Sequence, residues 1–297
     1  MADRFPKDTA QQRTYRAFEA LVAGEDAAID LAQAALLIAS IAYPDLDMAH
    51  YVAQLDALAR RARAILALPN PDTLPQLPAE TDPLAVISAL NRVLFDEEQF
   101  HGNKEDYYNP DNSFFNKVLE KRRGIPITLS LLYIEVGKRV GIQIDGIALP
   151  YHFMVRARLA EGLTYIDPYE GGLLLSEQQC KLRIRQMVRG KIKMHAHWFE
   201  PISHKLFLAR MLNNLKRCYL DKEDYERTLV ICDLIILLIP HFSGEWRDRG
   251  IIHLQLKHYA RALHDLTTYL ELAPQADDRS EILSHIKTIR QLMAMMN

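Results

Sequence analysis

Cysteine is what this chain most plainly lacks. Its three, Cys180, Cys218 and Cys232, are odd in number, far apart and in no zinc-ligand spacing, which excludes a disulfide framework and fits a reducing compartment. Long apolar runs are missing as well: the hydrophobic segments are short and interrupted, which excludes a bilayer-spanning helix. Met1–Lys7 lacks the apolar stretch of a secretory signal, so a cytoplasmic location and no membrane partner are expected. Nor is there an excess of charge of one sign. A net charge of -2 gives no global argument for nucleic-acid or membrane binding. What is present, 49% hydrophobic and 25% charged residues, is ordinary for a soluble globular protein, and 297 residues suggest two domains.

The first third reads as helical, in segments 13–23, 25–43 and 47–68. In the last of these Met48, Val52, Leu55, Leu58, Ala59, Ala62, Ile65 and Leu66 recur at three- and four-residue steps behind Asp47 as N-cap. Pro69, Pro71, Pro75, Pro78 and Pro83 then favour an extended connector. A helix resumes at Asp82-Pro83 and runs to about Leu94. The Asn- and Tyr-rich stretch 95–113 is expected to be an ordered loop packed on the domain, because free loops seldom keep large rings. A short helix over 113–121 follows it.

Residues 124–172 carry the functional argument. Gly124-Ile125-Pro126-Ile127-Thr128 opens a helix that Gly141 ends; strands follow over 142–149, 153–159 and 163–166, then a helix over 176–189. The order is helix start, then His152, then Asp167. That is the chain order of a papain-like or transglutaminase-like site, with no cysteine at the helix start. On spacing alone, His152 and Asp167 are equally well a strand-start histidine and a turn-opening aspartate. Thr128 and Ser130 are candidate hydroxyl nucleophiles, though Thr128 also suits a helix N-terminus.

From Lys205 onward the pattern changes to helical hairpins. Tyr225 and Tyr259, Pro240 and Pro274, and Leu212 and Trp246 are each separated by the period of a tetratricopeptide array. The second copy carries Trp246, Gly250, Tyr259, Ala262 and Pro274; the first has Lys216 where the glycine should be. Repeats are assigned to 209–242 and 243–276, with a capping helix from Asp277 to Met296. The expected domains are 1–190, a linker over 191–204, and 205–297.

His195, His197 and His204 lack a metal-ligand pattern and are read as surface imidazoles, so no metal and no cofactor are expected. Lys181, Arg183, Arg185, Arg189, Lys191 and Lys193 form a basic run without interleaved aromatics. It reads as a solvated face rather than a nucleic-acid patch.

Phe100-His101-Gly102-Asn103, Asn112-Ser113-Phe114, Arg123–Leu129, Leu149-Pro150-Tyr151-His152-Phe153 and Ile166-Asp167-Pro168-Tyr169 together resemble the bacterial SirB-type proteins. These couple a transglutaminase-like domain to tetratricopeptide repeats. Arg210–Lys216 and Arg247–Gly250 resemble that family's C-terminal signatures. The likeness covers roughly residues 30–280 and departs at Tyr151, where many members have glycine before the histidine. It implies an α+β fold: N-terminal helices, a helix-on-antiparallel-sheet core, then an all-α repeat domain. It further implies that His152 and Asp167 take the base and orienter positions, while the nucleophile position is vacant or holds a hydroxyl.

Two functions remain in play. One is a cytoplasmic interaction or regulatory protein on a transglutaminase-like domain without its nucleophile, a pseudoenzyme whose repeats bind a protein or peptide through residues such as Asn213, Asn214, Arg247 and Arg249. The other is an amide or ester hydrolase or acyl transferase using Thr128 or Ser130 with His152 and Asp167. Arg247-Asp248-Arg249 has an alternative reading as an ion-pair network between domains.

Overall fold

The computed structural model describes residues 9–68, 77–188 and 192–296. Pro69, Pro71 and Pro75 of the connector, and Arg189 and Lys191 of the basic run, lie outside the described residues. The architecture is α+β, and the chain divides into two compact units, Ala2–Phe207 and Leu208–Asn297.

The first unit begins with helices α1 (Ala10–Val22), α2 (Leu31–Ala42) and α3 (Met48–Ile65). Asp47 caps α3 as expected, its carboxylate accepting the amides of Ala49 at 3.1 Å and His50 at 3.3 Å. The segment 25–43 is not one helix. It makes a 3₁₀ turn at Asp26–Ala28 and restarts behind Asp30, which accepts the Gln33 amide. The Asp26 carboxylate instead accepts the amides of His204 at 2.7 Å and Lys205 at 2.9 Å, a demand from far along the chain that local pattern cannot show. Helix α4 (Pro83–Asn91) starts at its Asp82 cap and passes into a π turn over Arg92–Glu97, beyond the expected end near Leu94. That turn presents Glu97 to Arg61 and Arg92, and Glu98 to Arg61 and Arg122.

The loop that follows is ordered by two buried amides. Asn103 Nδ2 donates to Asn112 Oδ1 at 3.0 Å, and Asn112 Nδ2 donates to the carbonyls of Asp106 and Tyr107. Its ends are tied by a two-residue parallel pairing of β1 (His101–Gly102) with β2 (Arg123–Gly124), across the short helix α5 (Phe115–Lys121).

Helix α6 (Pro126–Val140) begins and ends where the sequence places it, at proline in its first turn and at Gly141, whose φ of 112° suits a residue without Cβ. Then comes an antiparallel meander of β3 (Ile144–Leu149), β4 (His152–Leu159), β5 (Gly162–Asp167) and β6 (Leu173–Leu175). Strand β6 is a finding that the sequence reading missed, because three consecutive leucines show no alternation. Helix α6 covers one face of the sheet, Gly137 lying against Ile144. On the other face α7 (Glu177–Val188) buries Cys180 and Ile184 among Ile147, Leu149, Met154, Tyr165, Leu175 and Phe199. Residues 199–202 run along the outer edge of β3, with the Ile202 amide bonded to the Gly146 carbonyl at 3.1 Å.

The second unit is entirely helical. Helix α8 (His204–Leu220), which begins in the first unit, is followed by α9 (Tyr225–Leu238), α10 (Ser243–Gln255), α11 (Tyr259–Leu272) and α12 (Arg279–Met296). Gly250 allows α10 and α11 to approach, since a Cβ there would lie 2.8 Å from Leu266. At the equivalent position of the first copy Lys216 makes a different contact. Its ammonium donates to both oxygens of Glu245, at 2.8 and 2.7 Å, and to Asp248 at 3.0 Å. Burial alone would lower the Lys216 pKa, but these carboxylates raise it.

Candidate functional site

The site is built at the turn between β3 and β4. Leu149 and His152 face each other across the strands, so Pro150 and Tyr151 are the whole loop. Proline fixes the first turn residue, and the second takes a left-handed conformation, φ 61° at Tyr151. Glycine adopts that conformation without strain, whereas an L side chain there costs about 1 kcal/mol. Tyr151 is also 80% exposed, an aromatic ring held beside His152 with little of it packed on the protein.

His152 and Asp167 come together. The imidazole Nε2 lies 2.9 Å from Asp167 Oδ2. A carboxylate can only accept there, so Nε2 is the donor, and in the neutral ring the lone pair is then on Nδ1. Asp167 is fully buried and held at both oxygens. Oδ1 accepts the amides of Tyr169 at 3.1 Å and Glu170 at 3.4 Å, capping the 3₁₀ turn Pro168–Glu170; Oδ2 also meets Arg183 Nη1 of α7 at 3.4 Å. The Tyr169 ring stands edge-on to the imidazole, with centroids 6.2 Å apart. Its hydroxyl donates to the Asn103 carbonyl, and a Cβ on Gly102 would overlap the ring. Burial, with Glu170 and Asp167 nearby, raises the Tyr169 phenol pKa.

The two candidate hydroxyls are not joined to this pair. Thr128 Oγ1 is wholly buried and braces the start of α6: it donates to the Asn112 carbonyl at 2.8 Å, has the Ile125 carbonyl at 3.1 Å, and accepts the Ile125 amide at 3.1 Å. Ser130 Oγ is buried with no hydrogen-bond partner. The sheet explains the separation. His152 pairs with Leu149, which belongs to the α7-facing cluster, and Asp167 is bonded to Arg183 of α7, whereas α6 packs on the opposite face. Cys180 lies on the α7 side but offers no substitute nucleophile. Burial pushes its thiol up to about 12, and Arg183 only partly opposes that.

In the helical unit, Asn213 and Asn214 donate to the carbonyls one turn back, at Ala209 and Arg210. Arg247 is partly exposed and bonds Asp248 and Asp278. Arg249 is 5% exposed and grips Asp265 with two nitrogens at 2.7 Å and Asp233 with a third at 2.6 Å. These ion pairs lie within the helical unit. Trp246 Nε1 donates to the Pro240 carbonyl, and the Arg249 guanidinium lies 4.9 Å from its ring centre. His195 and His197 stack loosely near Trp198, and His204 Nδ1 faces the Ile29 carbonyl. Among the described residues no group of three or more metal-ligating side chains comes together.

Tyr169, Arg183, Gly102 and the Asn103–Asn112 pair are site residues that sequence reasoning did not single out. All but Arg183 lay inside quoted motifs. Arg183 stood in a basic run read as solvated, and only the docking of α7 on the sheet turns it toward Asp167.

Comparison with known proteins identifies the two parts of the chain. Residues 49–213 match the model of the transglutaminase-like superfamily, and residues 215–287 match a tetratricopeptide-repeat model. A UPF0162 protein of Xylella fastidiosa strain 9a5c is 33% identical over 281 residues, covering 91% of this chain and 93% of that protein. Protein SirB1 of Salmonella typhimurium is 23% identical, over 73% of this chain and 80% of its own length. F-box only protein 21 of Homo sapiens is 34% identical over 167 residues, which are 52% of this chain and 26% of that one. No solved structure matches.

Proposed function

We propose a function from one premise: the chain belongs to the transglutaminase-like superfamily, and its transglutaminase-like part is followed by tetratricopeptide repeats. It is a cytoplasmic, regulatory pseudoenzyme that works by binding another protein. The observation that carries this reading is the state of the nucleophile position. Thr128 is committed to backbone carbonyls, Ser130 makes no bond to the imidazole, and Cys180 is buried, while His152 and Asp167 keep their mutual geometry. A base and its orienter without a partnered nucleophile suit holding a group better than turning it over.

Tetratricopeptide repeats commonly present a helical surface to a peptide or helix of a partner. Asn213, Asn214 and Arg247 are the array residues we assign to that contact; Arg249, enclosed by Asp233 and Asp265, supports the array from within. At the sheet end, Tyr151 supplies an exposed ring next to His152, a second contact surface. Among the described residues no helix is long and apolar enough to cross a membrane.

The test is quantitative affinity capture from the native cell extract with the full chain and with His152→Ala, Tyr151→Gly and Arg247→Ala. A protein held by the wild type, weakened by each substitution and then rebound in purified form is the expected result. A captured set identical for all four chains would contradict the assignment, as would turnover of amide substrates that is lost in His152→Ala.

A further inference from the structure

We propose that Nδ1 of His152 is itself a nucleophile, able to take an acyl group from small activated esters in the role left empty by the missing thiol. Three features of the site converge on that nitrogen. First, the ring cannot turn away. Its Nε2 is bonded to Asp167, and that carboxylate is pinned by the Tyr169 and Glu170 amides and by Arg183. Second, Nδ1 is not tied to the protein: the side chain is 9% exposed, and among the described residues its hydrogen bond is the one at Nε2. Third, the competing nucleophiles are out of play: the Thr128 hydroxyl is bonded to Asn112, Ser130 is enclosed, and the Cys180 thiol is packed against the sheet. A neutral imidazole needs no separate base, because the attacking atom already holds a lone pair.

The reaction balances with water as the only co-reactant. The Nδ1 lone pair adds to the ester carbonyl, the C–O bond to the leaving group breaks, and an aryloxide departs with the electron pair. The resulting Nδ1-acyl imidazolium is countered by Asp167 through the Nε2 proton. Water then adds to the acyl carbon, the N–C bond breaks, and a carboxylic acid leaves while its extra proton goes to solvent, restoring the neutral imidazole. Leaving-group order limits the substrate class. Imidazole leaves a tetrahedral adduct more readily than an amine does, so amides return to starting material, while aryl esters and thioesters go forward. This reactivity is confined to activated esters and leaves amides, the bonds a transglutaminase-like enzyme would act on, untouched, so the capture experiment and the ester assay test the two proposals separately.

The probe is p-nitrophenyl acetate with the intact chain, followed by release of p-nitrophenolate, and with p-nitroacetanilide as the amide counterpart. The expected rate constant per protein exceeds that of free imidazole at the same pH, because Asp167 holds the ring in place. It should fall to the background of the other histidines in His152→Gln, drop several-fold in Asp167→Asn, stay unchanged in His285→Gln, and be absent with the anilide. A second measurement needs no variant: brief treatment of the wild type with diethyl pyrocarbonate, then peptide mass mapping, should find His152 among the first histidines modified. A rate no greater than free imidazole, a rate unaltered by His152→Gln, or His152 modified last would each overturn the proposal.

Discussion

In the helical unit Arg249 is 5% exposed and three of its nitrogens meet two buried aspartates; at the end of the sheet His152 is 9% exposed and, among the described residues, only one of its two nitrogens is hydrogen-bonded to protein. Burial is nearly equal, and the completeness of the bonding is not. A buried polar group with every position satisfied stabilises a fold, whereas one held firmly at one atom and left open at the other is available to something from outside. Lys216, bonded to Glu245 and Asp248, belongs with Arg249; the Tyr151–His152 turn stands apart from both.

The largest expected effect lies in the helical unit. Arg249→Ala leaves Asp233 and Asp265 buried without their cation and should cost about 3–5 kcal/mol in urea unfolding of the full chain. A loss under 1 kcal/mol would break the comparison. At the sheet end, Asp167→Asn removes a charge-assisted acceptor from His152, Arg183 and the turn and should cost about 2 kcal/mol, while His152→Gln should cost only about 1 kcal/mol. If His152→Gln matched Arg249→Ala, the histidine would be a structural group like the arginine. Tyr151→Gly should raise stability by about 0.5 kcal/mol, since relief of the left-handed conformation outweighs the freedom glycine adds to the unfolded chain. A clear loss on that substitution would mean that the ring packs in solution.

The smallest effect is expected from the thiols. Cys180 and Cys232 are pushed up to about 12 by burial, so neither should react with iodoacetamide in the folded protein at pH 8. The linkage has a definite sign. These raised values contribute stability that is complete below a thiol's ordinary value of 9.0 and is lost as pH rises from there toward about 12. Unfolding midpoints followed across that window check it.

Much of the fold was legible because local signals and tertiary demands agreed. Helix α6 runs from its proline to Gly141 as read, Asp47 and Asp82 cap their helices, and the helical hairpins follow the repeat period. The failures were non-local. Asp26 answers to residues 204–205, and β6 exists because Leu173–Leu175 pair with Tyr165–Asp167. For the site, the order of His152 and Asp167 was in the sequence. The fate of Thr128 was not, because it is decided by the Asn112 carbonyl that the loop brings over it. Arg249 looked like a contact residue for the same reason: its partners lie sixteen positions away in each direction, on the neighbouring helices.

The central claim is that His152 is held by Asp167 at Nε2 with Nδ1 left open. Long-range proton–nitrogen correlation NMR on the protein with ¹⁵N-labelled histidine, with His152 assigned by its loss in His152→Gln, measures this directly. The account predicts a neutral ring protonated at Nε2 with an unprotonated Nδ1, and a disturbed Nε2 signal in Asp167→Asn. A ring protonated at Nδ1, or one indifferent to Asp167→Asn, would contradict it.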